Sequence, residues 1–212
     1  MNLILLGAPG AGKGTQAELL VKALSIPAIS TGNMLRDAMN HNTPLGEQVR
    51  QIMDSGMLVP DDVVMDLVSS RVRRDDCKNG FILDGVPRTL SQAEAIDAAG
   101  ITVDYVISIE IDDAVIESRM TGRRVCPKCG ASYHIVNNRP NIDGICNNCG
   151  SELTIRKDDA PETVRGRLDL YHSRTEVLKS YYAAQGKLVL IQGDQPIADT
   201  NRDILKAIGA EV

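Results

Sequence analysis

The segment Gly7-Ala8-Pro9-Gly10-Ala11-Gly12-Lys13-Gly14-Thr15 constrains this chain more than any other. It follows the continuous apolar run Leu3-Ile4-Leu5-Leu6, which reads as a short strand buried on both faces. It runs into Gly12 to Leu24, where Ala17, Leu20, Val21 and Leu24 recur at helical spacing. A buried strand, a glycine-rich turn and a helix in that order commit the chain to a parallel α/β fold and make the turn a phosphate-binding loop. Glycines let backbone N–H groups converge on phosphate oxygens, the helix N-terminus adds positive potential, and Lys13 reaches the β- and γ-phosphates. The strict pattern puts a hydroxyl directly after the lysine; here Gly14 intervenes and the hydroxyl comes at Thr15. The bland alternative is a tight βα turn, and four glycines with Lys13 and Thr15 in this context weigh against it.

Further strands are expected at Ala28 to Ser30, Phe81 to Leu83, Val103 to Ile111 and Leu188 to Ile191. Helices fall between them: in 32–74, broken by Pro44 and by Gly56 through Pro60; at Leu90 to Ala99, with Ser91 and Glu94 at capping-box spacing; at Ala114 to Thr121; and at Asp199 to Ile208. Another long helix should start at Pro161, capped by Asp159, and run to about Gln185. This alternation predicts a parallel sheet with helices on both faces. The 212 residues suit one domain, or a core with inserts.

From Gly122 to about Asp159 the texture changes to an Asn-rich stretch holding four of the five cysteines. Cys126-Pro127-Lys128-Cys129-Gly130 and Cys146-Asn147-Asn148-Cys149-Gly150 are separated by sixteen residues, the spacing of a four-thiolate zinc site. Iron, an empty thiol site and two disulfides are the alternatives; an intracellular chain seldom keeps disulfides. Protein sulfur would fill all four positions, so the metal would be structural, organising a segment with few apolar residues. Cys77 reads as a plain thiol.

A net charge of −5 argues against a general nucleic-acid binder, and no Trp and one Phe leave little for base stacking. The N-terminus resembles neither a signal peptide nor a span, and no apolar run approaches membrane length. A soluble, cytoplasmic protein is expected, with monomer as the default.

The Gly7 to Thr15 loop, Asp84-Gly85-Val86-Pro87-Arg88 and the run Arg156-Lys157-Asp158-Asp159 together closely resemble the adenylate kinase family, in its long form with a metal-binding lid. The resemblance covers essentially the whole chain. It implies an α/β P-loop NTPase core (1–29, 60–121 and 160–212) with a five-stranded parallel sheet flanked by helices, a small AMP-binding insert (30–59) and a zinc-ribbon-like lid (122–159). It implies transfer from MgATP to AMP, giving MgADP and ADP, with Zn²⁺ in the lid and Mg²⁺ accompanying ATP.

By that resemblance, Gly10, Ala11, Gly12, Lys13, Gly14 and Thr15 would hold ATP phosphates, Arg119 the adenine and Arg123 the phosphates, with Ser132, Tyr133 and Gln195 also at the donor. Arg36 and Arg88 would grip the AMP phosphate, with Thr31, Met57, Leu58, Val59, Gly85, Val86 and Pro87 around the acceptor. Arg156 and Arg167, counted with the AMP-binding residues as well, would swing in with the lid to stabilise the transferring group; with Lys13, Arg88 and Arg123 they form the expected catalytic set. His134 would stack nearby. Asp84, at the carboxyl end of a buried strand, is placed to hold Mg²⁺ through water. Asp158 and Asp159 read as lid-hinge and helix-capping residues, and the resemblance adds that they would orient Arg156 or Mg²⁺. Gln92 offers both an amide donor and an acceptor, the pairing by which Gln reads adenine elsewhere.

None of His41, His134 and His172 has an evident acid/base partner in the sequence, while a phosphate acceptor, with its second pKa about 6, needs no general base at neutrality. Arg50, Arg73, Arg74, Arg139, Arg174 and Arg202 are expected to be solvated. The competing readings are a related kinase with another acceptor base, a nucleotide-dependent switch without transfer chemistry, and a phosphate-loop hydrolase.

Overall fold

A computed structural model of the chain describes residues 1–210. Its centre is a five-stranded parallel sheet in the order β2-β3-β1-β4-β7: Ala28–Ser30, Phe81–Asp84, Asn2–Leu6, Tyr105–Glu110 and Leu188–Gln192. Side chains of the central strand alternate between two cores, as period-two geometry requires. Ile4 and Leu6 join Ile29, Leu83, Ile96 and Tyr182 on one face, while Leu3 and Leu5 join Leu20, Ile107 and Ile204 on the other. Both faces of the central strand are therefore dry, which explains why it reads as an unbroken apolar run.

Helix α1 (Lys13–Leu24) follows the first loop; α2 (Thr31–Asn40), α3 (Pro44–Asp54) and α4 (Asp61–Val72) lie between β2 and β3. Pro44 occupies the first turn of α3, and the Thr43 side chain accepts from the Gly46 amide at its start. The α2 and α3 backbones come so close that a Cβ on Gly46 would overlap the Ala38 carbonyl and lie 2.6 Å from Met39 N.

Helix α5 (Leu90–Ala98) precedes β4, and α6 (Asp113–Gly122) follows it. The cap of α5 is Thr89, whose hydroxyl accepts from Gln92 N at 3.2 Å; Ser91, expected there from its spacing, instead bonds Asp61. Helix α7 (Pro161–Leu170) starts at the predicted proline, but its first position is preceded by Ala160 and lacks a side-chain cap; Asp159 is buried and turned elsewhere. The expected single helix to about residue 185 is interrupted by a π-turn at Tyr171–Thr175 before α8 (Val177–Ala184). Helix α9 (Ile197–Ala207) closes the chain against α1, where Gln16 donates to Ile197 O at 3.0 Å.

Segment 122–159 forms its own small unit around an antiparallel pair, β5 (Arg123–Val125) with β6 (Ser132–His134). It meets the α2–α3 region across the open end of the sheet. Asn40 Nδ2 donates to Pro127 O at 3.2 Å, and Lys157 Nζ lies 2.9 Å from Asp54 Oδ2. No helix among the described residues is long and apolar enough to cross a membrane.

Candidate active site

A cleft of about 1000 Å³ lies beyond the carboxyl ends of the strands, between the first loop, α2, α6 and segment 122–159. Ligands of open α/β sheets bind at this end because the loops there are free to diverge and helix N-termini point in. Helix α1 carries no acidic residue in its first turn, so its N-terminal potential is uncompensated. Gly7 lets the loop leave β1 closely: at φ +134 a Cβ would sit 2.7 Å from Ile109 O. Lys13 folds back over the loop, donating to Gly7 O at 2.6 Å and Ala8 O at 2.8 Å. Burial pulls its ammonium down to about 7; Asp84 opposes that, and Arg88, Arg167 and Arg123 add to it.

All seven predicted cations (Lys13, Arg36, Arg88, Arg119, Arg123, Arg156 and Arg167) line this cleft, against the carboxylates Glu18, Asp84 and Asp194. Each is held differently. Arg88 Nε donates to Gly85 O at 2.9 Å, and its carbonyl accepts from Thr175 Oγ1 at 2.8 Å. Arg36 bonds Asn33 Oδ1 at 2.9 Å, and Arg119 bonds Gly193 O at 3.0 Å. Arg123 grips Asp159 with both edges of its fork, Nε at 2.8 Å from Oδ2 and Nη2 on Oδ1. Arg167 reaches Asp158 Oδ2 at 2.7 Å and Asp159 Oδ1 at 3.5 Å. Arg156 Nε is buried with no partner.

Burial first, and then neighbouring guanidiniums, pull Arg36 down to about 10 and Arg156 well below its ordinary value, and lower Arg167 as well; burial alone lowers Arg88 and Arg119. Crowded cations in a cleft with few carboxylates form a site suited to a polyanion.

Among the other predicted residues, Gly10, Ala11, Gly12, Gly14, Thr15, Asp84, Gly85, Ser132, Tyr133, His134 and Gln195 line the same cleft. Asp84 stands where expected, at the end of β3, and a Cβ on Gly14 would come 3.9 Å from its Oδ2. Leu58 and Pro87 border a smaller cavity of about 80 Å³ behind the loop. Thr31, Val59 and Val86 are buried, the Thr31 hydroxyl donating to Gly85 O at 3.1 Å, while Met57 is 57% exposed. Gln92 is buried, its Oε1 accepting from Arg88 N and its Nε2 donating to Asp61, both at 2.7 Å.

Three expectations need correction. His172 does have acidic partners, Glu176 at 2.9 Å and Asp113 at 3.0 Å, although it does not line the cleft. Arg50 is partly buried and structural, bonding Met39 O at 2.7 Å and Asn42 Oδ1 at 3.0 Å. Asp159 is an arginine anchor and no cap. Thr175 and Asp61, which hold Arg88 and Gln92, carry no local motif and were invisible in the sequence.

The four thiols of segment 122–159 converge, with all sulfurs within 4.8 Å of one another. Cys126 and Cys149 are 3.4 Å apart and Cys129 and Cys146 3.5 Å, far beyond a disulfide bond. A tetrahedron with metal–sulfur bonds of about 2.3 Å has edges of about 3.8 Å, so the quartet fits a zinc-sized ion. The two knuckles repeat one geometry: Gly130 N donates to Cys126 O at 3.0 Å and Gly150 N to Cys146 O at 2.9 Å. Burial raises the Cys146 thiol, but the Tyr133 hydroxyl 3.4 Å away and the nearby backbone amides of Asn148 and Cys149 outweigh that and hold it below its ordinary value, as suits a thiolate.

The adenylate kinase family model matches residues 5–187. An adenylate kinase of Caldicellulosiruptor bescii is 52% identical over the full length of both chains. Those of Desulforamulus reducens and Lachnospira eligens are 50% and 48% identical, covering 98% and 99% of this chain and all of theirs.

Proposed function

The chain belongs to the adenylate kinase family and is an adenylate kinase by relationship; on that premise we propose that it carries out MgATP + AMP ⇌ MgADP + ADP and so balances the adenine nucleotides. The observation that carries this reading is the convergence of Lys13 and six arginines on one cleft beside a phosphate loop. Phosphoryl transfer needs alignment and charge neutralisation more than covalent participation, and that is what these groups supply.

In this reading the loop from Gly10 to Thr15 and Arg123 take the donor phosphates, with the donor base between Arg119 and the Gln195 turn. Arg36 and Arg88 take the acceptor phosphate, with the base toward Val59 and Gln92. Lys13, Arg156 and Arg167 lie between the two and stabilise the transferring group. The acceptor oxygen is already largely deprotonated, its second pKa being about 6, which is why no histidine is required in the cleft. Magnesium, held near Asp84 through water, would neutralise charge on the donor phosphates.

Segments 30–59 and 122–159 serve as moving covers on the core formed by 1–29, 60–121 and 160–212. Their contacts through Asn40 and Lys157 support that role, since closing them over the cleft excludes water that would otherwise hydrolyse ATP. Cys126, Cys129, Cys146 and Cys149 would hold the zinc that keeps the second cover together. The protein acts as a cytoplasmic monomer.

The test is Lys13→Met, assayed by ADP formation with and without AMP. Transfer should be abolished while circular dichroism is unchanged. Near-normal activity, or ADP and inorganic phosphate formed without AMP, would refute the reading.

A further inference from the structure

The amide of Gln92 is held at both ends by groups that cannot exchange roles. Its Oε1 accepts from the Arg88 backbone N–H, and its Nε2 donates to Asp61 Oδ1. A backbone N–H only donates and an ionised carboxylate only accepts. Burial raises the Asp61 carboxyl, but hydrogen bonds from Ser91, Thr89 and Gln92 outweigh that and hold it below the ordinary carboxylate range. Turning the amide over would set NH₂ against N–H and carbonyl oxygen against carboxylate, losing both bonds at a site only 2% exposed to water.

Asp61 is itself fixed. It opens α4, and its Oδ2 accepts from Thr89 Oγ1 at 2.9 Å and from Ser91, tying the start of α4 to the start of α5. An amide has two N–H donors and two lone pairs. With one of each committed, Gln92 retains one donor and one acceptor in a fixed order. A 6-aminopurine offers an N–H donor at position 6 beside an acceptor at N1. A 6-oxopurine of the same size offers the reverse, an acceptor beside a donor. An amide free to turn over would serve both.

We propose that Asp61 is a specificity-determining positioning residue, locking the Gln92 amide in the orientation that accepts a 6-aminopurine monophosphate and rejects a 6-oxopurine one. The proposal rests on Gln92 being the contact for the acceptor base. Asp61 bonds to no substrate in this scheme and acts only through Gln92.

The experiment compares AMP with inosine monophosphate as acceptors for MgATP, quantifying the diphosphates by chromatography. The proteins are the parent, Asp61→Asn, Asp61→Ser, Ser91→Ala and Gln92→Leu. In Asp61→Asn the ratio of kcat/KM for AMP over inosine monophosphate should fall about tenfold, the equivalent of about 1.4 kcal/mol. The fall should lie in the KM for AMP, with the KM for ATP unchanged. Asn and Ser both suit a helix start, so Asp61→Ser reads the same ratio if the first variant fails to fold. Ser91→Ala leaves the lock in place and should keep the ratio.

If the parent does not prefer AMP, or Gln92→Leu keeps the preference, the base-contact reading fails and the proposal with it. If Gln92→Leu collapses the ratio while both Asp61 variants keep it, the lock is overturned and the contact stands. An equal fall for the two acceptors in the Asp61 variants also overturns it, because a purely structural role would not discriminate between bases.

Discussion

Replacing Asp159 by Asn tests whether the arginines of the cleft are held by one buried carboxylate. The Asp159 side chain is wholly buried, while Arg123 and Arg167 beside it are 17% and 13% exposed. Asn keeps the volume and removes the charge. Taking one partner from a buried ion pair costs about 3–5 kcal/mol. Because both guanidiniums keep some hydration and Arg167 also has Asp158, the lower end, about 3 kcal/mol, applies. For a chain of 212 residues each kcal/mol moves the melting temperature by about 2–4 °C, so a fall of about 6–12 °C is expected.

The assay is scanning calorimetry with and without saturating inorganic triphosphate. The unpaired arginines should bind the anion more tightly in the variant, so the gap between variant and parent should narrow when triphosphate is present. An unchanged melting temperature in its absence, or a gap that triphosphate leaves untouched, shows that Asp159 does not hold these arginines.

At pH 8 Lys13, with its ammonium pulled down to about 7, is mostly neutral in the free protein and should take up nearly one proton when triphosphate binds. Titration calorimetry in buffers of different ionisation enthalpy reads that uptake, which should vanish near pH 6. Because its folded value lies below its unfolded one, Lys13 should also make the free protein more stable as pH rises from about 7 toward 10.5. Cys146→Ser should lose stoichiometric zinc and expose 122–159 to limited proteolysis while the sheet core survives; metal analysis showing full zinc would exclude the four-thiolate assignment. Gly46→Ala should force α2 from α3 and destabilise by about 1–3 kcal/mol or more, read as a lowered denaturant midpoint.

The sheet, the phosphate loop and the cysteine quartet were legible because their signals are local. Each strand of the sheet is a short, mainly apolar stretch, the loop has its glycines and lysine in one stretch, and each knuckle is a CxxC followed by glycine. What escaped depends on pairs far apart in the chain. Asp61 meets Gln92, Asp159 meets Arg123 and Thr175 meets Arg88 only once the fold exists. The capping expectation at Ser91 erred by two residues because Thr89, Leu90 and Ser91 leave the helix start ambiguous, and Asp61 claims the Ser91 hydroxyl. Nothing local to Arg156 signals that one of its nitrogens ends up buried without a partner.

The π-turn at Tyr171–Thr175 also sets how the long helix divides its labour. Before it, Val164 and Leu168 pack with Ile116 and Met120; after it, Leu178 and Tyr182 pack into the core beside β1. A regular helix advances about 100° per residue, so removing one residue from this turn would act as a rotation more than a shortening. One of the two apolar stripes would then swing toward solvent, and Thr175 would leave the Arg88 carbonyl. The turn works as a phase shifter: it lets a single helix keep time with two differently oriented cores, at the point where the second begins to steady an arginine of the cleft.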